Sequence, residues 1–412
     1  MNLKVFVLVL LAVILGWDLL ILFLQSRSTK NKIPENVKEL YSPDEHRKWA
    51  CYMREKTHLS VFKHIAAFIL EFSLLLFDVY AAFCGLFGPD KYLQMFATVL
   101  MNSFLSTLIA VPFDWVDTMK IEEKYGFNKC TKKTFIADVI KDFIIDLIIS
   151  AGLGALYALV MGFGTIAIII LAAALIVFIL LMIFLAPVLQ KMNNKFTPLE
   201  DGELKDKLTA LLTQHGFKVR GIQVMDGSKR STRSNAFFAG FGKTKKIVLF
   251  DTLIANSTPD EIVAVFAHEL GHGIHKDTLK LLPASALQMI AIAVMLFFAA
   301  SDQLGMSQAF GFSNTNYGFC LILVMSIGFA LFSPLLGLLT NYLSRKAEYA
   351  ADAQAVKEGY GDALISGLKR LHKDNFSDVS PSPLFVKLKY SHPTLSQRIS
   401  AVETLLRDGE TK

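Results

Sequence analysis

Hydrophobic positions in this chain gather into long unbroken runs rather than short alternating ones. Seven of them, residues 5–24, 61–87, 92–113, 143–161, 165–189, 281–300 and 317–339, are long enough to cross a bilayer as helices, which takes about 20 residues. Between the fifth and sixth runs the pattern shortens. Over residues 197–216, Leu204, Leu208, Leu211 and Leu212 recur at helical spacing and Gly216 supplies a stop, which predicts an amphipathic helix. Alternation then changes to period two: Val219, Ile222 and Val224, then residues 236–241, then 247–250, predict three short strands with turns at Asp226-Gly227 and Gly242-Lys243. The middle strand, entered through Ser234 and Asn235, is a candidate edge to which an extended peptide could add by main-chain hydrogen bonds, or a plain structural hairpin. Helical period returns over residues 258–277, where Thr258, Pro259 and Glu261 make an N-cap, first helical residue and capping-box acid. The expected fold class is mainly α, a seven-transmembrane-helix protein with a catalytic segment containing a small β-sheet or hairpin.

Composition agrees with a membrane protein, since 53% of the residues are apolar and only 19% charged. Charge then orients it. Eight Lys and Arg lie between Arg27 and Lys56 and six between Lys120 and Lys141, whereas residues 88–91 hold one and residues 162–164 and 301–316 none. Basic loops favour the cytoplasm, so the amino terminus is expected outside, with 190–280 and the tail from 341 sharing the cytoplasmic face. The chain divides into 1–189 (five spans), 190–280 (catalytic segment), 281–340 (two spans) and 341–412 (C-terminal helices). The first run begins near Lys4 like a signal peptide, but it is long for one and no small-x-small cleavage site follows Leu24, so a retained helix is expected. Cys51, Cys84, Cys130 and Cys320 are scattered, which indicates neither a disulfide framework nor a zinc ribbon. The net charge of +6 resides in the basic loops without interleaved aromatics, so no nucleic-acid partner is expected. Glu71 with Asp78, and Asp142 with Asp146, are spaced to share helical faces; they either line a hydrated cavity or pair with Lys63, Lys141 or backbone.

The chemistry lies in His268-Glu269-Leu270-Gly271-His272. Histidines four apart project from one helical face and can take two corners of a zinc tetrahedron, with Glu269 placed to take a proton from an activated water. Downstream, Glu348 and Asp352 are again four apart: Glu348 can complete the metal site while Asp352 accepts a hydrogen bond from the far nitrogen of a ligand histidine. Two histidines and a glutamate leave a fourth position for water, the arrangement of a catalytic, zincin-like site. A metzincin is excluded, because its pattern needs Gly and His where this chain has His275 and Thr278. Near the C-terminus, His392 before Pro393, and more weakly Arg398, are candidates to stabilise a tetrahedral oxyanion.

Taken together, Ala267 to His272, Ser344-Arg345 to Asp352, Ser234-Asn235-Ala236, Ser391-His392-Pro393 through Arg398, and the stretch from Ile121-Glu122 to Gly126-Phe127-Asn128 resemble the type I CaaX prenyl proteases, over nearly the whole chain. The resemblance implies an integral-membrane zinc metalloprotease with one Zn2+ held by His268, His272 and Glu348, with Glu269 as general base. It further implies that Asn235 holds substrate and that His392 and Arg398 line the site. It also implies helices enclosing a large intramembrane chamber, and removal of the C-terminal tripeptide after a prenylated cysteine. The expected partners are a prenylated or membrane-associated peptide and the lipid bilayer, with the protein a monomer. The expected location is the endoplasmic reticulum membrane if eukaryotic and the inner (plasma) membrane if bacterial. Alternatives are an HtpX-like quality-control protease, whose relatives have fewer helices, and a scaffold or transporter on the same fold.

Overall fold

The computed structural model describes residues 2–216, 221–239 and 246–410, and in it the apolar runs are helices. The first five long helices are α1 (Leu3–Arg27), α2 (Pro43–Leu76), α3 (Lys91–Val116), α4 (Lys132–Val160) and α5 (Ala167–Asn193). After a small sheet and α6 (Glu203–Gln214) come α7 (Pro259–His275), α8 (Asp277–Ala300), α9 (Tyr317–Lys357), α10 (Gly361–Asp374) and α11 (Leu395–Glu410). Among the described residues, 6 helical stretches are long and apolar enough to cross a membrane. The chain is an integral multi-pass membrane protein.

Seven such stretches were expected, and the difference lies in one of the 6. Lys132–Met182 is a single helical stretch in which α4 and α5 are joined through the turn Met161–Ile166. There Gly164 takes φ 63° and ψ −140°, a conformation open to glycine and costly for other residues.

The second apolar run also departs from expectation. Its helix stops at Leu76, and Asp78 has a left-handed backbone with φ 54°, so Glu71 and Asp78 do not share a helical face. Aspartate tolerates that conformation better than most residues, and its carboxylate meets Lys4 of α1 at 2.6 Å. Glu71 and Asn102 share the Tyr80 hydroxyl, each at 3.1 Å, and Asp146 accepts from Ser103 at 2.6 Å. The expected lysine partners are elsewhere, Lys63 on Asp114 and Lys141 on Asp138.

The sheet has four strands, β1 (Phe196–Pro198), β2 (Ile222–Met225), β3 (Ala236–Ala239) and β4 (Lys246–Phe250), in the order β1-β2-β4-β3. β2 runs parallel to β4, and the two outer pairs are antiparallel. β3 is thus both an edge strand and half of a hairpin. Val219, Phe241 and the Gly242-Lys243 turn lie outside the described residues. The amphipathic helix expected from 197 begins only at Glu203, because Phe196 to Pro198 pair with β2. Pro198, which lacks an amide donor, suits that outer strand.

Two large apolar cores result. One joins the membrane helices through residues such as Tyr157, Leu296, Phe319 and Val324. The other packs α6, α7, α10, α11 and the sheet around Phe266, Leu208, Leu249 and Leu364. α9 contributes to both, so one helix links the membrane bundle to the polar half of the molecule.

Candidate metal centre

α7 is helical for local reasons. Thr258 accepts from the Glu261 amide while the Glu261 carboxylate accepts from the Thr258 amide, and Pro259 fills the first turn, which together satisfy the first free N–H groups. Glu261 is buried and also receives Arg370 at 2.8 Å and the Ser366 hydroxyl, both from α10. Burial alone would raise its carboxyl pKa, but Arg370, Ser366 and the Thr258 amide outweigh that and hold it below the ordinary value. The capping acid therefore also fixes where α7 sits.

One turn from the first histidine, Gly271 lets α7 press against α9. A β-carbon at Gly271 would stand 2.8 Å from the Ala351 Cα, closer than side chains pack. This approach brings the two chemical motifs together: ligand atoms of His268, His272 and Glu348 all lie within 4.8 Å of one another. His268 Nε2 is 3.4 Å from Glu348 Oε2, and His272 Nε2 is 3.2 Å from Glu348 Oε1.

Each imidazole is oriented from behind by a carboxylate. His268 Nδ1 lies 2.8 Å from Asp352 Oδ1, the contact the sequence predicted, and His272 Nδ1 lies 3.0 Å from Asp277 Oδ2. With each Nδ1–H donated to a carboxylate, both Nε2 lone pairs point inward as donors for a metal. Glu348 is buried, and its Oε2 has no hydrogen-bond partner. Burial would raise the Glu348 pKa, but His268, His272 and His392 together drive it far below the carboxylate range, so it stays ionised. Burial likewise disfavours a charged His272, yet without a metal Glu348 and Asp277 lift its pKa to about 9, so metal binding at Nε2 would release a proton there. Two inward imidazole nitrogens and an ionised carboxylate with an unsatisfied buried oxygen fit a divalent cation.

Asp277 escaped the sequence reading. It opens α8, directly after Lys276 takes a left-handed φ of 54°, and that reversal carries its side chain back to His272. A five-residue spacing does not imply such contact on a helix, so the sequence held no usable signal.

The remaining expected residues fall in three places. Glu269 is half-buried beside His268 and makes no hydrogen bond or ion pair among the described residues, leaving its carboxylate free. His392 reaches the centre, with Nδ1 2.8 Å from Glu348 Oε1 while its side chain is 62% exposed. Arg398 is buried behind the centre, gripping Asp352 at 2.6 and 2.9 Å and approaching His268 Nδ1 at 3.2 Å. Asn235 is exposed at the entrance to β3, with its side chain turned to the Ala236 amide at 2.8 Å; among the described residues no hydrogen bond joins it to the centre. His275 ends α7 and is not among the clustered ligand groups.

Known proteins resemble this chain over both halves. The profile of peptidase family M48 matches residues 198–406, and that of the CAAX prenyl protease N-terminal region, five membrane helices, matches residues 6–191. "Probable CAAX prenyl protease 1" of Schizosaccharomyces pombe is 32% identical, covering 94% of this chain and 86% of its own. "CAAX prenyl protease 1 homolog" of Arabidopsis thaliana is 33% identical, covering 92% and 91%. The crystal structure of S. mikatae Ste24p superimposes with a TM-score of 0.89 at 28% identity, covering 97% of this chain and 99% of that one. With a matching profile over half its length and such relatives end to end, the chain belongs to peptidase family M48, as a membrane metalloprotease of the CAAX prenyl protease type.

Proposed function

We propose that this protein is a zinc endopeptidase that removes the C-terminal tripeptide of prenylated CaaX-type proteins. The observation that carries the proposal is the convergence of His268, His272 and Glu348 beside an unengaged Glu269, with Glu348 on a helix continuous with the membrane bundle. Two imidazoles and one carboxylate suit zinc in a catalytic site. Zinc held there supplies Lewis acidity, which activates a water and polarises a carbonyl. Glu269 takes the proton of the attacking water and delivers it to the leaving nitrogen. His392, exposed on the open side, donates to the developing oxyanion. Arg398 positions Asp352, and through it His268, rather than touching substrate. The edge of β3, with Asn235 at its start, receives the extended peptide by main-chain pairing.

In this reading residues 132–182 cross the bilayer twice, turning at Gly164, which makes seven spans around a chamber. The acids of the spans and their polar partners Tyr80, Asn102 and Ser103 support a hydrated interior. The basic loops favour a cytoplasmic catalytic face, and the reading takes the protein as a monomer in the endoplasmic reticulum membrane or, in a bacterium, the inner membrane. The test compares cleavage of a farnesylated CaaX peptide with the same peptide lacking the lipid, with and without chelator. Chelator-sensitive release of the tripeptide, strongly favoured by the lipid, is expected; equal cleavage of both peptides would assign a general quality-control protease instead.

A further inference from the structure

A cavity of about 680 Å³ opens beside the metal centre, bounded by α7, α8 and α9, with Ile179 of α5 also in its wall. Its size is that of pockets that enclose small ligands. Two of the metal-site residues, His272 and Glu348, line it. Leu281, Leu282 and Leu343 add apolar surface, and Lys280, Lys346 and His275 add polar groups.

These three polar groups are not consumed by structure to the same degree. Lys280 bridges to Asp277 at 2.9 Å with its side chain 63% exposed. Lys346 is exposed and forms no ion pair among the described residues. His275 Nδ1 is buried without a hydrogen-bond partner, a cost that a bound acceptor removes. The acids on the same wall are already engaged: Asp277 by His272 and Lys280, and Glu348 by His268, His272, His392 and Arg398.

We propose that this cavity is the site of the departing tripeptide, and that Lys346, aided by His275, recognises its free terminal carboxylate. This rests on the proposed tripeptidyl cleavage. The lining offers what such a product carries: metal-site residues for its new amino end, leucines for its aliphatic side chains and an unpaired lysine for its carboxylate. A tripeptide extends over roughly 10 Å, a length that a cavity of about 680 Å³ can hold. A compact ammonium on a flexible stem suits a carboxylate that arrives on chains of differing last residue. A CaaX terminus is thereby distinguished from an internal cysteine by its charge and not by sequence alone.

The experiment uses full-length protein in lipid nanodiscs and a fluorophore-labelled Val-Ile-Met tripeptide, either as the free acid or as the C-terminal amide, with affinity read by anisotropy. The free acid is expected to bind about tenfold more tightly than the amide, the usual weight of one charge-assisted hydrogen bond. Lys346→Gln should abolish the difference by weakening the acid alone, while Lys346→Arg retains it. Equal affinities for acid and amide in the wild type, or a preference that survives Lys346→Gln, would overturn the proposal. Cleavage of the farnesylated peptide is followed in parallel. If the wild type cleaves nothing, the tripeptidyl reading fails on its own, and the anisotropy still decides what the cavity binds.

Discussion

Glu269 has a neighbour on the chain, His268, and no hydrogen bond of its own among the described residues. A general base needs that freedom, whereas a structural acid such as Glu261 is saturated by four donors. Glu269→Gln preserves shape and leaves the three ligands untouched. It should bind metal with wild-type stoichiometry while kcat falls by about 10²- to 10⁴-fold, the range of general acid–base catalysis. Metal content by elemental analysis together with peptide turnover measures both; undiminished turnover would remove Glu269 from the mechanism. Asp352 and Asp277 behave differently, because each acts only through the imidazole it orients.

At the scale of elements, the decisive contact is the close approach of α7 and α9 at Gly271. Gly271→Ala places a carbon against the Ala351 backbone, which no side-chain rotation relieves. Forcing the helices apart should cost about 1–3 kcal/mol of stability and weaken metal binding, since His272 and Glu348 sit on opposite sides of that contact. Thermal unfolding and metal titration of the variant check it, with wild-type values for both counting against the packing argument. Gly271 also shows where sequence reading stops. The capping box, the i,i+4 histidines and the Glu348–Asp352 pair were legible because each is local to one helix. The meeting of α7 with α9, the return of Asp277 after Lys276, and the capture of residues 196–198 by β2 were not, since each depends on a partner far along the chain or on one residue's backbone sign. The apolar runs were readable as helices, but one of them breaks at Asp78, where the backbone turns left-handed beside Lys4.

At the scale of the whole molecule, the two ends of the chain are tied together. Asn31 donates to the Ser380 carbonyl at 2.8 Å and Ser380 reaches the Ser28 carbonyl at 3.4 Å, so the end of α1 holds the segment before α11. Asp378 lies inside this junction with one carboxylate oxygen buried and unpartnered. Burial raises its pKa to about 6, against weaker opposition from Ser380 and Ser28. A carboxyl raised on folding favours the folded state while protonated. The penalty is therefore absent below about pH 4, grows between about 4 and 6, and is full above, where it amounts to roughly 3 kcal/mol. Asp378→Asn should accordingly match the wild type in apparent Tm at pH 4 and exceed it at pH 7.5, with chelator present throughout to remove metal effects. A constant difference across that range would show that Asp378 does not titrate there.

The 41 residues of α9 have a mechanical consequence. A helix of that length is a rod of about 60 Å, and Glu348 rides about 46 Å from its far end. Pivoting there by only 2° would displace Glu348 by about 1.6 Å, several times the roughly 0.2 Å tolerance of a metal–ligand distance. The pivot is instead at the metal, because Gly271 and the Arg398–Asp352 grip pin the rod there. Pro334 interrupts the rod 14 residues before Glu348, removing one main-chain hydrogen bond, and so gives it an elbow. Were the membrane half of the rod to bend, Pro334 is where its hydrogen-bonded ladder is weakest, and the pinned segment carrying Glu348 would move least.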